Sequence, residues 1–204
     1  PEDLTDELLQ GDSAVFDGYT QSQSVTTAAV LWQLSRQRQV CAMAAQGLAH
    51  GLGQFLRESG QLSADTPVQQ LAATDRLLVL SGSCSALSAA QIDAARQSGF
   101  VCVRLSNAVL LGQDAAGFAD LQQQVLQALQ AGQSVVVFSA EGPQDPHTAE
   151  LRQLTGTWAP GALTQRIGVC FAHIAGRAFK ETPLTRLVVA GGDSSSFSMR
   201  ALGA

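Results

Sequence analysis

The residues best suited to chemistry lie near the end of the chain, where an apolar run stops at two glycines. Residues 185–204 read TRLVVAGGDSSSFSMRALGA. Glycine lets the backbone turn sharply and lie close to a ligand, and unpaired amides at a helix start favour anions. The terminal motif, Gly191 to Ser194, therefore predicts a phosphate-binding site between a strand and a helix. A plain turn is the alternative, because Gly-Gly-Asp is common in turns.

Small polar residues also fill the serine loop, residues 81–85 (SGSCS), which follows another apolar run. Five small residues exceed what a compact strand-to-helix turn needs, so ligand contact competes with a simple turn. Residues 88–91 (SAAQ) fit a capping box and predict a helix start at Ser88. A third polar loop occupies residues 139–143. Since ligands of parallel sheets bind at the carboxyl ends of strands, these loops predict one crevice of polyanion size.

Composition limits the classes of partner. The 204 residues are 46% apolar and 14% charged, with a formal net charge of -5 and no Lys/Arg cluster. This argues against a duplex nucleic acid or an anionic membrane as partner. No apolar run approaches the roughly 20 residues that span a bilayer, and Pro1-Glu2-Asp3 does not resemble a signal peptide. We expect a cytoplasmic α/β protein large enough to bury a core.

The cysteines and histidines give no metal-binding pattern. The four cysteines are scattered, without a C-x-x-C pair or a histidine at ligand spacing, which predicts buried free thiols. They are Cys41, Cys84, Cys102 and Cys170. His50 and His173 are predicted to be solvated. His147, near Asp145 and Glu141 on a strand-end loop, is the histidine best placed for contact with a ligand.

Apolar periodicity predicts the elements behind these loops. The predicted strands are residues 13–16, 39–43, 76–80, 100–105, 134–138 and 187–190. The predicted helices are residues 24–36, 47–59, 88–97, 114–131 and 162–179, the end of a helix at 2–10, and a short helix opened by Asp145-Pro146. Such alternation predicts an α/β fold: a mostly parallel sheet with helices on both faces.

The first part of the chain is predicted to be the less stable part. Two strands do not form a stable sheet alone, so residues 1–60 are interpreted as the end of a larger α/β domain. The turn-rich sequence GQLSADTP lies at residues 60–67. We therefore divide the chain into residues 1–60, a linker at 61–75 and a second domain at 76–204.

Two segments in this order resemble a known family. Residues 79–105 (VLSGSCSALSAAQIDAARQSGFVCVRL) and 186–203 (RLVVAGGDSSSFSMRALG) are similar to the nucleotide-binding domain of the four-carbon acid sugar kinase family. Some plant-associated members are labelled Hrp-dependent type III effectors. Residues 44–52 (AAQGLAHGL) resemble part of the family's amino-terminal, sugar-binding domain. The resemblance implies a Rossmann-like nucleotide-binding domain at residues 76–204.

The resemblance also implies an activity and its site. It implies an ATP-dependent kinase that phosphorylates erythronate- or threonate-like acids, or their keto forms, with ATP and Mg²⁺ as cofactors. The residues that match the family's nucleotide-contacting segments are Ser81, Gly82, Ser83, Ser85, Gly191, Gly192, Asp193 and Ser194. Ser194 replaces a threonine and keeps the hydroxyl. Asp193 is interpreted either as a Mg²⁺ ligand or as the cap of the next helix.

Parts of the family pattern are not found in this sequence. The Asp-Asp-Leu-Thr-Gly-Ala segment, which supplies acid-sugar contacts and the expected base, has only an echo in Glu2-Asp3-Leu4-Thr5. Asp6 stands where glycine is required, so we interpret the echo as chance or a helix start. A later glycine-containing segment would lie beyond Ala204. We therefore expect a fragment that does not turn over alone, with its catalytic base outside this chain.

Two other classes of function remain open from the sequence. One is a non-catalytic nucleotide- or phosphosugar-binding module. The other is a hydrolase with Ser83 or Cys84 as nucleophile, although SGSCS lacks the G-x-S-x-G spacing and Cys84 has no evident cationic partner in the sequence. The acid sugar, the hydroxyl that is phosphorylated and the oligomeric state, homo-oligomers included, also stay open.

Overall fold

A computed structural model describes residues 13–63 and 70–203. The chain divides into two compact units, Pro1–Leu71 and Ala72–Ala204, which we describe separately. The helix end predicted at residues 2–10 lies outside the described residues. Among the described residues, no helix is both long enough and apolar enough to cross a membrane.

The described part of the first unit is helical. Helices α1 (Gln21–Ser35) and α2 (Gln46–Glu58) pack against each other. They approach closely at Gly51, where an added Cβ would lie 2.5 Å from the carbonyl oxygen of Ser24. Glycine at this position therefore sets the distance between the helices.

The two strands predicted in the first unit are wrong. Residues 13–16 and 39–43 form no strand in the described structure. Val15 and Met43 are each 97% exposed, so their apolar character reflects no buried sheet face. A strand needs a neighbour that takes up its backbone hydrogen bonds, and the described residues of this unit provide none.

The second unit contains a parallel sheet, as predicted. Its strands are β1 (Leu78–Ser81), β2 (Val101–Arg104), β3 (Val135–Phe138) and β4 (Leu187–Ala190). Within the described residues their order is β2-β3-β1-β4, and every neighbouring pair is parallel. The β-branched run of β3 is buried throughout, as expected for an inner strand.

Six helices of the described residues complete the second unit. They are α3 (Ala86–Gln97), α4 (Asn107–Leu110), α5 (Ala115–Gln130), α6 (Pro146–Leu154), α7 (Ala162–Glu181) and α8 (Gly192–Leu202). Helix α4, a single turn capped by Ser106, has no counterpart among the predicted helices. The predicted start of α6, with Asp145 as cap and Pro146 in the first turn, is confirmed.

Both faces of the sheet carry apolar packing. On one face Leu80 and Val137 belong to a cluster that includes Phe171 and Ile174 of α7. On the opposite face Val136 packs with Ile92 of α3. The prediction of an α/β fold with helices on both faces is therefore confirmed.

Close contact between α7 and α8 fixes the position of the terminal helix. A Cβ on Gly168 would lie 2.5 Å from Cβ of Phe197 and 3.0 Å from its carbonyl carbon. Only glycine permits this approach without a shift of backbone. The start of α8 is thereby held at the carboxyl end of β4.

Candidate nucleotide site

The serine loop and the terminal motif meet at the carboxyl ends of β1 and β4. The Gly82 amide donates a 2.9 Å hydrogen bond to the carbonyl oxygen of Ala190. A Cβ on Gly82 would overlap Oγ of Ser194 and lie 2.6 Å from its Cβ. Two segments more than a hundred residues apart thus touch through the space left by a missing side chain.

The terminal motif requires glycine for a second reason. Gly191 has φ 125°, which side-chain-bearing residues rarely adopt. A Cβ there would lie 2.5 Å from Oγ of Ser194 and 3.3 Å from the amide nitrogen of Ser83. Gly191 therefore joins the same contact between the two loops.

The amino terminus of α8 has no side-chain cap. Gly191 occupies the cap position and has no side chain that could accept hydrogen bonds from the helix. The amides of the first turn therefore remain able to bind an anion. Asp193 lies exposed in the first turn. The interpretation of Asp193 as the helix cap is therefore wrong.

The serine loop caps the following helix. Oγ of Ser85 accepts a hydrogen bond from the Ser88 amide at 3.1 Å, so the helix begins at Ala86 and the predicted start at Ser88 is wrong. Oγ of Ser83 donates to Oγ of Ser85 at 3.3 Å. Ser81, at the end of β1, is buried. Ser85 thus acts mainly as a cap that orients Ser83.

Of the eight predicted site residues, the structure brings four into direct contact: Gly82, Ser83, Gly191 and Ser194. Gly192 and Asp193 lie between Gly191 and Ser194 and are exposed on the first turn of α8. The hydroxyl of Ser194 faces the glycines although the residue is only 2% exposed.

Cys84 does not have the environment predicted for it. Its thiol donates to the carbonyl oxygen of Gly142 at 3.4 Å, and a guanidinium nitrogen of Arg152 lies 3.8 Å from the sulfur. The expectation that Cys84 lacks a cationic partner is wrong, because the sequence separation of 68 residues hides Arg152. The hydrogen bond from Cys84 to Gly142 joins the serine loop to the β3 loop, which we define as residues 139–145.

The predicted absence of disulfides is confirmed, since all four cysteines are free. Their predicted burial holds for Cys170, whereas Cys41 is exposed and the other two are partly buried. Burial raises the pKa of the Cys170 thiol. Among the described residues, no group of three or more His, Cys, Asp or Glu side chains could hold a metal ion.

The carboxyl ends of β2 and β3 carry an ion network that the sequence analysis did not identify. Arg104 donates to Asp145 at 2.7 Å and also pairs with Glu141. Its guanidinium lies over the Phe138 ring, 4.9 Å from the ring centroid. Glu141 pairs in addition with Arg96 of α3. The network joins β2, the β3 loop and α3.

Both acids of this network are held in the charged form. Burial alone would raise the pKa of Asp145, but hydrogen bonds from Arg104 and from the amides of Glu141 and His147 outweigh it and lower the pKa. Burial likewise opposes ionisation of Glu141, and its two arginine partners lower the pKa. The positive and negative charges in the network largely balance.

His50 and His173 are exposed, as predicted. His147 lies at a cleft of about 520 Å³ above β2 and β3. We call it the β3 cleft, and its lining residues are Arg104, Glu141, Gln144, Asp145, Pro146 and His147.

Comparison with known proteins identifies the domain. A family model described as "Nucleotide-binding C-terminal domain" matches residues 78–204. The chain belongs to the four-carbon acid sugar kinase family. The resemblance stated from the serine loop and the terminal motif is thus confirmed, and both lie within the matched residues.

Two curated relatives of this acid sugar kinase family member carry kinase names. A 3-oxo-isoapionate kinase of Paraburkholderia graminis is 38% identical over 79% of this chain and 33% of the relative. A 3-oxo-tetronate kinase of Pseudomonas savastanoi pv. phaseolicola is 28% identical over 77% of this chain and 34% of the relative. The matched part of the chain spans about a third of the length of these relatives.

Solved structures support the fold. A Haemophilus influenzae protein assigned to DUF1537 has a TM-score of 0.57 and 21% identity, over 99% of this chain and 45% of that protein. A protein of Salmonella typhimurium LT2 described as a putative tRNA synthase has a TM-score of 0.61 and 23% identity, over 99% of this chain and 44% of that protein. At these identities the likeness concerns the fold alone.

Proposed function

We propose that the full-length protein is an ATP-dependent kinase of a four-carbon acid sugar, of the erythronate, threonate or keto-acid type, and that this chain supplies the ATP-binding part. The observation that carries the proposal is the meeting of Gly82, Gly191 and Ser194 at the uncapped start of α8. The matched family and the kinase names of two relatives support it.

In this proposal the chain binds phosphates without a lysine-containing phosphate loop. Amides of the first turn of α8 point toward the anion, and the helix dipole adds a favourable partial charge. Gly82 and Gly191 let the serine loop and the terminal motif pack together around the Ser194 side chain beside these amides, and Ser83 and Ser194 are proposed as further contacts to the phosphates. The remaining proposed contacts are Ser81, Gly192 and Asp193, with Ser85 acting through Ser83. Phosphoryl transfer depends mostly on such positioning and charge stabilisation.

Asp193 fits a magnesium ion that is held mainly by phosphates and water. Mg²⁺ commonly binds to one or two carboxylates and retains several waters. A single exposed carboxylate in the first turn of α8 meets that need, whereas the described residues offer no larger cluster. When bound, the ion would neutralise phosphate charge.

We propose the domain boundaries that the sequence predicts. Residues 1–60 would form the end of an acid-sugar-binding domain, 61–75 a linker and 76–204 the nucleotide-binding domain. We assign no catalytic base among the described residues. A non-catalytic nucleotide-binding module is the second candidate, because the matched part of the chain spans only a third of its kinase relatives.

The described contacts give Cys84 a cationic neighbour, Arg152, but give neither Cys84 nor Ser83 the base that a hydrolase needs. The thiol of Cys84 donates to the Gly142 carbonyl, and the hydroxyl of Ser83 donates to Ser85. A nucleophile of this kind needs a base at hydrogen-bond distance. No histidine is among the hydrogen-bond partners that the structure describes for either residue.

Calorimetric titration of Mg-ADP into the chain and into a Gly192→Val variant tests the proposal. Apart from its chain neighbours and the backbone of its own helix, no atom of the described residues lies within 4 Å of a Cβ added at Gly192, so the variant should fold while its side chain crowds the phosphates. Gly53→Val in α2 is the matched control, because a Cβ at Gly53 is equally free of neighbours. We expect heat from the parent and the control, and none from Gly192→Val.

Two other outcomes decide against the proposal or limit it. Absence of Mg-ADP binding by both the chain and the full-length protein would reject a nucleotide domain. Binding by the full-length protein without phosphorylation of any four-carbon acid sugar would favour the non-catalytic module.

A further inference from the structure

Glu141 connects three elements through one carboxylate. It belongs to the β3 loop, and its side chain pairs with Arg104 at the end of β2 and with Arg96 in the last turn of α3. Hydrogen bonds between two charged groups are stronger than those between neutral groups. The Glu141 side chain is one-third exposed, so water screens these bonds only in part. Its position therefore fixes β2, the β3 loop and α3 relative to one another.

The residue after Glu141 contacts the serine loop. Gly142 has φ 101°, and its carbonyl oxygen accepts the 3.4 Å hydrogen bond from the thiol of Cys84. Cys84 lies between Ser83 and Ser85, in the middle of the serine loop. A shift of the β3 loop would therefore move or break a contact that holds the serine loop.

Helix α3 gives a second connection between Glu141 and the serine loop. A Cβ on Gly142 would lie 3.2 Å from that of Ala89, so the β3 loop packs closely on the first turns of α3. Arg96 ties the last turn of the same helix to Glu141. Because α3 begins directly after the serine loop and is capped by Ser85, a displacement of the helix would also displace the loop.

The hydroxyls of the serine loop do not attach it to these neighbouring elements. Ser83 donates to Ser85, and Ser85 bonds to Ser88 in the first turn of α3. On the other side, Gly82 holds the terminal motif through its 2.9 Å hydrogen bond to Ala190. The place of the loop between these two sides therefore depends on the β3 loop and on α3.

We propose that Glu141 is a positioning residue of the phosphate site. By binding Arg104 and Arg96 together it fixes the β3 loop and α3, and these keep the serine loop against the terminal motif. The inference rests on the proposed function and adds a side chain that sets nucleotide affinity through other residues.

Calorimetric titration of Mg-ADP into the full-length protein and into its Glu141→Gln variant tests this role. Glutamine has nearly the same shape but no charge and a single acceptor oxygen, so it does not bind both arginines as the carboxylate does. We expect the Kd for Mg-ADP to rise about fivefold, the lower end of the usual coupling between sites, with the number of binding sites unchanged. A loss of folded protein alone would instead lower the number of sites and leave the Kd as it is.

Two further variants make the test specific. Glu181→Gln is the matched control, because it also removes a carboxylate that pairs with an arginine, Arg177, at the end of α7. It should bind Mg-ADP as the parent does. Arg96→Met separates positioning from direct contact, since Glu141 lines the β3 cleft and Arg96 is not among its described lining residues. We expect Arg96→Met to raise the Kd, and the double variant to bind no more weakly than Glu141→Gln alone.

The failure of this inference is distinguishable from that of the proposed function. An unchanged Kd in Glu141→Gln, or an equal rise in Glu181→Gln, would overturn the positioning role and leave the proposed function standing. A rise in Glu141→Gln with no change in Arg96→Met would also overturn it, because Glu141 would then act by direct contact with the ligand. A full-length parent that does not bind Mg-ADP would reject the proposed function together with the inference.

Discussion

The loops after β1 and β4 and those after β2 and β3 lie along the same edge of the sheet but are held by different kinds of contact. At β1 and β4, the Ser194 side chain can pack against Gly82 and Gly191 only because glycine has no Cβ. At β2 and β3 the contacts depend on charged side chains, with Arg104 bridging Asp145 and Glu141. Adding atoms should therefore damage the first pair of loops, the glycine end, and removing charges should damage the second pair, the charged end.

The largest expected effect is at the charged end. Asp145→Ala removes the more buried of the two carboxylate partners of Arg104 and leaves the amides of Glu141 and His147 without their acceptor. Breaking a buried ion pair on one side costs about 3 kcal/mol, which we expect as the loss in free energy of unfolding. Urea denaturation measures it. Asp120→Ala, on the exposed face of α5, is the control, and a loss no larger than the control's would show that the network is not stabilising.

A smaller loss is expected when an atom is added at the glycine end. Gly82→Ala should lower the free energy of unfolding by about 2 kcal/mol, because its Cβ collides with the buried side chain of Ser194. The paired change Ser194→Gly removes the colliding atoms and should restore part of the loss. A double-mutant cycle measures this coupling. Additive losses would mean that the two loops do not touch as described.

Lowering the pH should destabilise the ion network at the carboxyl ends of β2 and β3 in the unmutated protein. The pKa values of Asp145 and Glu141 lie below their ordinary values of 3.8 and 4.5, so their contribution to stability is complete above those values and is lost as pH falls through the lowered ones. Urea denaturation at pH 6 and at pH 3 to 4 should show the decline, smaller than that of Asp145→Ala because both side chains stay in place. In Arg104→Met the decline should shrink. An identical decline in that variant would assign the acid sensitivity to other carboxylates.

The sequence predicted local features of the site better than distant ones. The strand runs of the second unit, the glycine pair between β4 and α8 and the Asp-Pro start of α6 are each encoded within a few residues, and the structure has them where the sequence predicts them. The partners of Arg104 are 37 and 41 residues away along the chain, and no local pattern announces them. The two mistaken strands in the first unit show the same limit, because apolar runs predict strands only where a neighbouring strand is available.

The smallest expected effect concerns the start of α3, where the predicted cap and the observed one compete. Ser85→Ala should cost about 1 kcal/mol, because the amide of Ser88 loses its acceptor. Ser88→Ala should cost less, since it removes only the hydroxyl bonded to Ser85. Urea denaturation of the two variants ranks them, and Ser85→Asp keeps an acceptor and should retain stability.

The same variants compare capping with phosphate binding. Because Ser85 orients Ser83, Ser85→Ala should also weaken Mg-ADP binding modestly. Ser85→Asp should weaken it more despite a stable fold, since its charge repels phosphate. If Ser88→Ala instead proves the more costly change, the helix begins at Ser88 and the serine loop is longer and freer than the structure describes. The Ser85 cap would then no longer hold the serine loop in contact with the terminal motif.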